Sequence, residues 1–475
     1  MGGLDAVALR TGLARCGLQD ARNLLVAVSG GPDRCEWDDA TSMATCAMCW
    51  LIGHAPACIC SMALVHALHQ QQPGRVRAHL VDHRLRPEST DEAHQVMSEL
   101  QRHSIVCGMS TLQWAAAPRS NTQALARTER YNALVAAAHQ HGCQAILTAH
   151  HADDQVETIL MRICNLSGLV GALGIRARAH WRSERHGLQA PLARPLLHLT
   201  KADLVQYCQT NDVRTVNDCS NDSDKYERNR LRFALAARQQ QTPDTLGEMY
   251  ALAENWTVLR LELEGEAREL AQSALHHDVH PQIWSIESKL VARAPRAVQI
   301  VLITACLVAV SGGRQPDPRQ VEALVSTLEQ SQPVRGQVGV VSFERQGSNH
   351  ALHLWRSPLR ADFEPLTIQS PTPAAWYWDG RFRCHPALQA TARPESAFRL
   401  VPLTARWQQH LSQQGAWHHL KSAIRACPPQ LRGSQPLLLM QTSPLDSEWK
   451  PAGLPTLHPH ELLAADYDPP PLPWL

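Results

Sequence analysis

The stretch LLVAVSGGPD, residues 24–33, decides the fold. Leu24 to Val28 is an apolar run of strand type, and it stops at Ser29-Gly30-Gly31-Pro32-Asp33. Two adjacent glycines after a buried strand let backbone N–H groups converge on one point, which suits a phosphate. A helix should open at once, so that its N-terminal dipole adds to the grip. The chain instead continues as RCEWDDATSMATCAMCWLIGHAPACIC over residues 34–60, and the expected helix start, SMALVHAL, comes only at Ser61. This pattern marks a nucleotide-using enzyme whose phosphate loop is interrupted.

Working outward, VRAHLVDH (76–83) reads as a second strand and AILTAHH (145–151) as a later one. Amphipathic helical stretches, residues 91–103 and 122–141, lie between them. Strands alternating with helices imply a parallel sheet covered on both faces. Ligands in such sheets sit beyond the carboxyl ends of the strands. That rule gathers residues 29–33, 82–83 and 150–154 at one rim. Near residue 240 the texture changes. Residues 245–274 read as one long helix, 300–310 as a buried apolar helix or strand, and 317–330 as another helix. VGVVSFER and HALHLWRS read as a hairpin. The Pro- and Ala-rich stretch 358–373 reads as a linker, and the Trp-, Pro- and Leu-rich tail from Trp376 as a small separate module. A second Ser-Gly-Gly, at Ser311-Gly312-Gly313, lacks the following Pro-Asp and reads as a turn.

Three further motifs carry chemistry. AHHADDQVET (149–158) packs histidines and carboxylates into a strand-to-helix junction. Asp154 and Glu157, three apart, share one helix face that can hold a cation or an ammonium group. A surface helix start is the plainer alternative, and a divalent metal site a third, although the spacing is not that of a closed zinc site. NDCSNDSDKYERNRLRFAL (217–235) places Arg228, Arg230 and Arg232 in a short stretch, and an arginine fork matches phosphate or carboxylate. NTQALARTERY (121–131) sets Arg127 and Arg130 on one side of a helix, either for phosphate or as a plain surface pair.

At 475 residues the chain is too long for one compact core, and two to four domains are expected. The formal charge of +1 announces no nucleic-acid partner globally, so RNA affinity must come from local basic clusters. The N-terminus has no basic-then-apolar leader pattern. Fourteen cysteines show no disulfide rhythm, as in the reducing cytoplasm. Residues 40–74 contain no Asp, Glu, Lys or Arg, which meets the length of a spanning helix, but Gly53, Pro56 and three histidines speak against a membrane span.

Taken in order, these motifs resemble those of the tRNA(Ile)-lysidine synthetases, a family of the PP-loop (N-type) ATP pyrophosphatase superfamily. SGGPD is similar to the family's S-G-G-x-D-S loop, VDHRLRPES to its second-strand segment, and AHHADDQVET to its acidic motif. ARPLLHLTKADLVQYC (193–208) resembles its R-P-L-L segment and NDCSNDSDKYERNRLR its D-x-S-N…R-N-R-x-R segment. HLKSAIRACPPQLRGSQPLLL (419–439) resembles the C-terminal L-K…P-L-L pattern.

The resemblance implies an α/β fold: a Rossmann-like parallel-sheet PP-loop ATPase domain over residues 1–240, with 34–60 as an anomalous insertion, a mainly helical tRNA-binding domain over 241–357, and a small α+β tRNA-recognition domain over 374–475. It implies a two-step reaction with ATP and Mg2+. The C2 oxygen of the wobble cytidine of tRNA(Ile) with a CAU anticodon is adenylated, and the ε-amine of L-lysine then displaces AMP. Ser29, Gly30, Gly31, Pro32, Asp33, Ser61, Asp82 and His83 would bind ATP. Asp154 and Glu157 would seat lysine, and Asp33, Asp154, Arg228 and Arg230 would serve catalysis. Arg127, Arg130, Arg232, Lys421 and Arg432 would meet tRNA. A homodimer is compatible with the sequence.

Two departures stand out. The insertion separates Ser61 from Asp33, and NLSG (165–168) stands where the family has R-G-x-G. The rival readings are a sibling tRNA cytidine thiolase, for which Cys46, Cys49, Cys58 and Cys60 would carry sulfur or an iron–sulfur cluster, and a tRNA-binding remnant with a spoiled ATP site.

Overall fold

The computed structural model describes the chain except residues 1–2, 29–56, 85–88, 115–121, 184–187, 215–229, 233, 236, 239–241, 243, 331, 346–350, 360–365, 370–375, 380, 387–396, 406, 410–426, 433–434, 442–449, 454–462 and 468–475. It forms two compact units, one of residues 1–182 and 189–260, the other of 183–188 and 261–475.

In the first unit, helix α1 (Ala6–Arg15) leads into β1 (Leu24–Val28), whose Leu24, Leu25 and Val26 are fully buried. Such a continuous apolar strand needs partners on both edges and cover on both faces, and it has them. On one side β1 runs parallel to β2 (Val76–Asp82), with Leu24 opposite Val76 and Val28 opposite Leu80. On the other it runs parallel to β4 (Ala145–Leu147), with Val26 opposite Leu147. With β3 (Cys107–Thr111), β5 (Arg178–Ser183) and β6 (Leu188–Ala193) the sheet order is β3-β2-β1-β4-β6-β5. Helices α2 (Ala57–Gln71), α3 (Ser89–Arg102) and α4 (Thr122–Gln140) supply the crossovers. Leu64, Val65 and Leu68 of α2 are fully buried in the same core as Leu24 and Val26. Beyond β4 come α5 (Ala152–Cys164), α6 (Gly168–Ala172) and α7 (Lys201–Thr210). α8 (Thr245–Ala274) is the long helix read from its apolar spacing, and Ala253 near its start packs with Val156 and Ile159 of α5.

The second unit holds β7 (Leu275–His280), β8 (Ile283–Glu287), α9 (Ser288–Ala292), α10 (Arg296–Ser311), α11 (Pro318–Ser326), β9 (Val334–Val338), β10 (Val341–Arg345) and β11 (Ala351–Arg356). The expected β10–β11 hairpin is present and antiparallel, and β7, β8 and β9 extend it to a five-stranded sheet. The apolar run 300–310 is resolved as helix, inside the buried α10. The second Ser-Gly-Gly ends that helix: Gly312 is its left-handed cap at φ 79°. A Cβ there would also lie 2.1 Å from the Asp379 carbonyl oxygen, so only glycine fits.

Two small sheets follow. One orders β12 (Leu366–Gln369), β15 (Ala397–Pro402), β16 (Pro436–Gln441) and β17 (Lys450–Gly453); the other orders β13 (Trp376–Trp378), β14 (Phe382–Pro386) and β18 (Leu463–Tyr467). β12 lies within the stretch read as a linker. Its Leu366 and Ile368 are in register with Leu400 and Phe398 on β15, a strand that the surrounding prolines mask in the sequence. Among the described residues no helix is long and apolar enough to cross a membrane.

Asp379 ties this tail to the central sheet. Its Oδ2 accepts from Arg356 Nε at 3.1 Å and Arg381 Nε at 2.9 Å, and its Oδ1 from Arg314 Nη1 at 2.9 Å. Burial alone would raise its pKa, but the charges of Arg381 and Arg356 hold it below the usual carboxylate value. Asp379→Asn strands two buried guanidiniums and should lower unfolding free energy by about 3–5 kcal/mol, measured by denaturant titration.

The first unit buries two neutral histidines. His66 Nδ1 lies 2.9 Å from the Tyr207 hydroxyl, with His103, Arg102 and Glu99 around it. His79 Nε2 lies 2.8 Å from Ser110 Oγ. Loss of hydration lowers both from 6.5 to about 4. The unfolded chain therefore binds more protons between these values. Their contribution to stability is full above pH 6.5 and is lost as pH falls toward 4. The melting temperature should rise between pH 5 and pH 7, and less steeply in His79→Asn.

Candidate active site at the carboxyl rim of the parallel sheet

The register fixes what can meet. β1 continues into residues 29–33 and β4 into 148–151, and the two strands are direct neighbours although the chain visits β2 and β3 between them. This is the point where strand order reverses, and the rim there is where doubly wound sheets bind ligands. Ser29, Gly30, Gly31, Pro32 and Asp33 themselves lie outside the described residues.

Ser61 was expected to open the helix after the loop. Instead α2 already runs at Ala57, and Ser61 is its fifth residue, buried. The reason is compositional: Ile59 and Cys60, the end of the interrupting text, are apolar and extend the buried face by one turn. At the end of β2, Asp82 is buried and engaged. Its Oδ1 accepts from the Arg84 backbone N–H at 3.0 Å and the Ser89 hydroxyl at 2.8 Å, its Oδ2 from Thr90 at 2.8 Å. Burial pushes its pKa up, and these donors together with the Arg84 charge bring it below the usual value. Asp82 thus fastens the start of α3 to the rim. The His83 carbonyl accepts from the Trp114 indole at 2.6 Å.

The acidic motif builds the N-terminus of α5. His151 is the N-cap residue in extended conformation, and its backbone N–H donates to Asp154 Oδ2 at 3.0 Å. The His151 ring is 3.1 Å from Asp153 Oδ2 through Nδ1, and its side chain also hydrogen-bonds Cys60. Burial disfavours the imidazolium, but the Asp154 carboxylate, Cys60 and Asp153 hold its pKa well above 6.5. Asp153 is a second hub. Its Oδ2 also accepts from the Lys201 backbone N–H at 2.9 Å, and its Oδ1 from the Tyr250 hydroxyl at 3.0 Å. Burial raises its pKa and the His151 contact brings it below the usual range, while the Tyr250 phenol, desolvated beside this carboxylate, is shifted upward.

Asp154 and Glu157 are both buried on α5, as the three-residue spacing implies. Glu157 receives Arg232 as a fork, Nε to Oε1 at 2.5 Å and Nη2 to Oε2 at 3.2 Å. Arg232, expected at tRNA, here uses its fork on the Glu157 carboxylate, one of the two partners that an arginine fork matches. Arg230 is exposed, and Arg228 lies outside the described residues. Arg127 and Arg130 stand over the buried Tyr131 ring, 5.0 and 5.5 Å from its centroid, and Tyr131 stacks on Trp181. Arg432 donates through Nε to the Cys427 carbonyl at 3.0 Å, and Lys421 lies outside the described residues.

Sequence reasoning missed Asp153 and Tyr250, and considered Cys60 only as a sulfur or cluster ligand. Asp153 was visible in the acidic run but falls off the Asp154–Glu157 face, and its partners come from α7 and α8, far along the chain. Among the described residues no group of three or more His, Cys, Asp or Glu side chains is arranged to hold a metal ion. Cys46 and Cys49, considered for a cluster, lie outside the described residues.

Comparison with known proteins agrees with this geometry. The family model for the PP-loop domain matches residues 58–239, beginning just past the bulk of the interruption. The tRNA(Ile)-lysidine synthase of Bradyrhizobium diazoefficiens is 31% identical over 66% of this chain and 80% of its own. That of a Methylobacterium species is 32% identical over 65% and 79%, and that of Novosphingobium aromaticivorans 34% identical over 52% and 68%. Relatives of this identity, covered over two thirds or more of their length, together with a phosphate-loop strand beside an acidic helix start, show that the chain belongs to the tRNA(Ile)-lysidine synthase family of PP-loop enzymes.

Proposed function

We propose that this chain is a working carbon–nitrogen ligase that uses ATP to join L-lysine to C2 of the wobble cytidine in tRNA(Ile) with a CAU anticodon, in the cytoplasm. The observation that carries this reading is the adjacency of β1 and β4, which sets the phosphate-loop strand beside the acidic start of α5.

The first step forms a bond from the cytidine C2 oxygen to the α-phosphorus of ATP and breaks the bond to pyrophosphate. Backbone N–H groups of residues 29–31 suit the departing charge. In the second step the lysine ε-amine attacks C2, AMP leaves with the former C2 oxygen, and the nitrogen loses a proton. The amine arrives as an ammonium ion and competes with Arg232 for Glu157. Asp154, beside it on α5, accepts the proton that must leave before attack. Magnesium would accompany the ATP phosphates. The described carboxylates do not form a cage for it, since the oxygens of Asp82 and Asp153 already accept hydrogen bonds from protein donors.

Two experiments test the reading. Glu157→Gln removes one charge-assisted contact to the amine, worth about 1.5–3 kcal/mol, so the KM for lysine should rise about tenfold or more. Lysine-independent, tRNA-dependent pyrophosphate exchange should stay within about threefold, because that contact belongs to the second step. Equal loss of both would remove Glu157 from the lysine seat.

Removing residues 34–60 restores SGGPDSMALVHAL. We expect lysine-dependent AMP release, with lysidine detected in digested tRNA, to increase in that variant. RNA binding without ATP consumption in both forms would instead identify a tRNA-binding remnant.

A further inference from the structure

Tyr250 belongs to none of the sequence motifs, yet its hydroxyl reaches the acidic start of α5, donating to Asp153 Oδ1 at 3.0 Å. The side of α8 that carries it is anchored along its length. Tyr250, Ala253, Thr257 and Arg260 follow one another at steps of three and four residues, so they share one face. Ala253 packs on Val156 and Ile159 of α5, with the Tyr250 ring beside them. Thr257 Oγ1 accepts from Gln155 Nε2 at 3.2 Å. Arg260 donates to the carbonyls of Leu173 and Gly174, just past α6, at 3.2 and 2.9 Å. On the neighbouring side, Arg15 of α1 donates to Glu254 at 3.0 Å. A phenol has only two side-chain torsions. Packed in this way, the Tyr250 hydroxyl is delivered to a set place. Burial and the Asp153 carboxylate shift its pKa upward, so it remains a donor.

Asp153 passes that placement on. Its Oδ2 accepts from the Lys201 backbone N–H at 2.9 Å and faces His151 Nδ1 at 3.1 Å. Among the described residues no donor other than Tyr250 reaches Oδ1. The His151 ring stands 3.6 Å from Asp154 Oδ2 through Nε2, and the His151 backbone N–H donates to that same oxygen at 3.0 Å. Tyr250, Asp153, His151 and Asp154 thus form one chain of contacts. It ends at the carboxylate assigned to the proton of the lysine ammonium.

We infer that Tyr250 is a positioning residue for the lysine-transfer step: through Asp153 and His151 it holds Asp154 at the place from which the ammonium proton is removed. The inference rests on the proposed ligase reaction and adds to it a residue that touches neither substrate. Tyr250 itself gains and loses no proton. Its contribution is geometric, and reaction rates fall steeply when a reacting group is displaced by a fraction of an ångström.

The full chain is assayed for lysidine formation and, separately, for lysine-independent, tRNA-dependent pyrophosphate exchange. Tyr250→Phe keeps the ring and removes the hydroxyl. Its kcat for lysidine formation should fall about tenfold. Its KM for lysine and its exchange rate should each stay within about twofold, because Glu157 and the first step are untouched. A variant that folds less well lowers exchange and transfer together, so the ratio of the two reads position alone. Thr257→Val loses a hydroxyl on the same face that does not reach Asp153, and should leave that ratio unchanged. Asp153→Asn should lower the ratio, and adding Tyr250→Phe to it should cost no more than about a further twofold, because the hydroxyl acts through the carboxylate.

An unchanged ratio in Tyr250→Phe overturns the positioning role and leaves the ligase reading intact. An equal fall in Thr257→Val assigns the effect to general loosening of α8 and overturns the role of the hydroxyl. Full multiplication of the two losses in the double variant overturns the route through Asp153. Absence of lysidine from the unaltered protein overturns the ligase reading itself.

Discussion

The parallel pairing of β1 with β2 on one side and β4 on the other is the constraint on which the rest depends. It exists because residues 24–28 are apolar without interruption, so the strand is stable only when both edges and both faces are covered. Once β1 is central, the crossover helices must pass over the sheet faces. The strand ends after Val28, Asp82 and Leu147 then share one rim, whatever their separation along the chain. The site is a consequence of that burial: hydrophobic free energy, on the order of 1.5–3 kcal/mol per large buried side chain, positions polar groups that could not assemble by their own attraction.

At the rim, charges are balanced locally. Asp82 holds the start of α3, Asp153 holds α7 and α8, and one oxygen of Asp154, Oδ2, holds the N-cap of α5. Each carboxylate therefore fixes a helix end, and together they fix where α5 begins relative to β4. Asp154, Cys60 and Asp153 hold the His151 pKa well above its ordinary value despite burial. Helix starts are rigid when capped in this way, and a rigid start is what holds Glu157 one turn further along at a constant place. The Glu157–Arg232 fork shows the cost of a buried carboxylate, which is stable only when a cation is paired with it.

The sequence made the period-driven parts legible. An unbroken apolar strand, an acidic strand-to-helix junction, the long helix 245–274 and the β10–β11 hairpin follow from hydrophobic periodicity and turn residues, which act over a few positions. The parts that were not legible depend on distant partners. Arg232 was read as a fork for phosphate or carboxylate, but which carboxylate it meets was hidden because Glu157 is 75 positions away. Arg127 and Arg130, read either for phosphate or as a surface pair, stand over the Tyr131 ring of their own helix, and the Trp181 stacked on that ring comes from 50 residues further along. β7, β8 and β9 were missed because strands of five or six residues gain much of their stability from cross-strand neighbours rather than from their own propensity.

The interruption after the phosphate loop affects fold and chemistry unequally. Between Val28 and Ala57 the chain runs through 28 residues, where the uninterrupted motif needs five before its helix. Loop-closure entropy grows only with the logarithm of length, so the longer connection costs about 1.5 kcal/mol, comparable to one buried methyl-bearing side chain. The core absorbs this, since Met62, Leu64, Val65 and Leu68 of α2 remain buried against β1. Phosphate binding has no such tolerance, because it requires backbone N–H groups and a helix start within a few ångströms of one another. The position directly before Ser61, where the motif has its aspartate, is held by Cys60, whose side chain contacts His151. The fold thus survives at small thermodynamic cost, while the catalytic consequence is concentrated in one position: Cys60, in the first turn of α2, carries a thiol where the uninterrupted motif has its carboxylate.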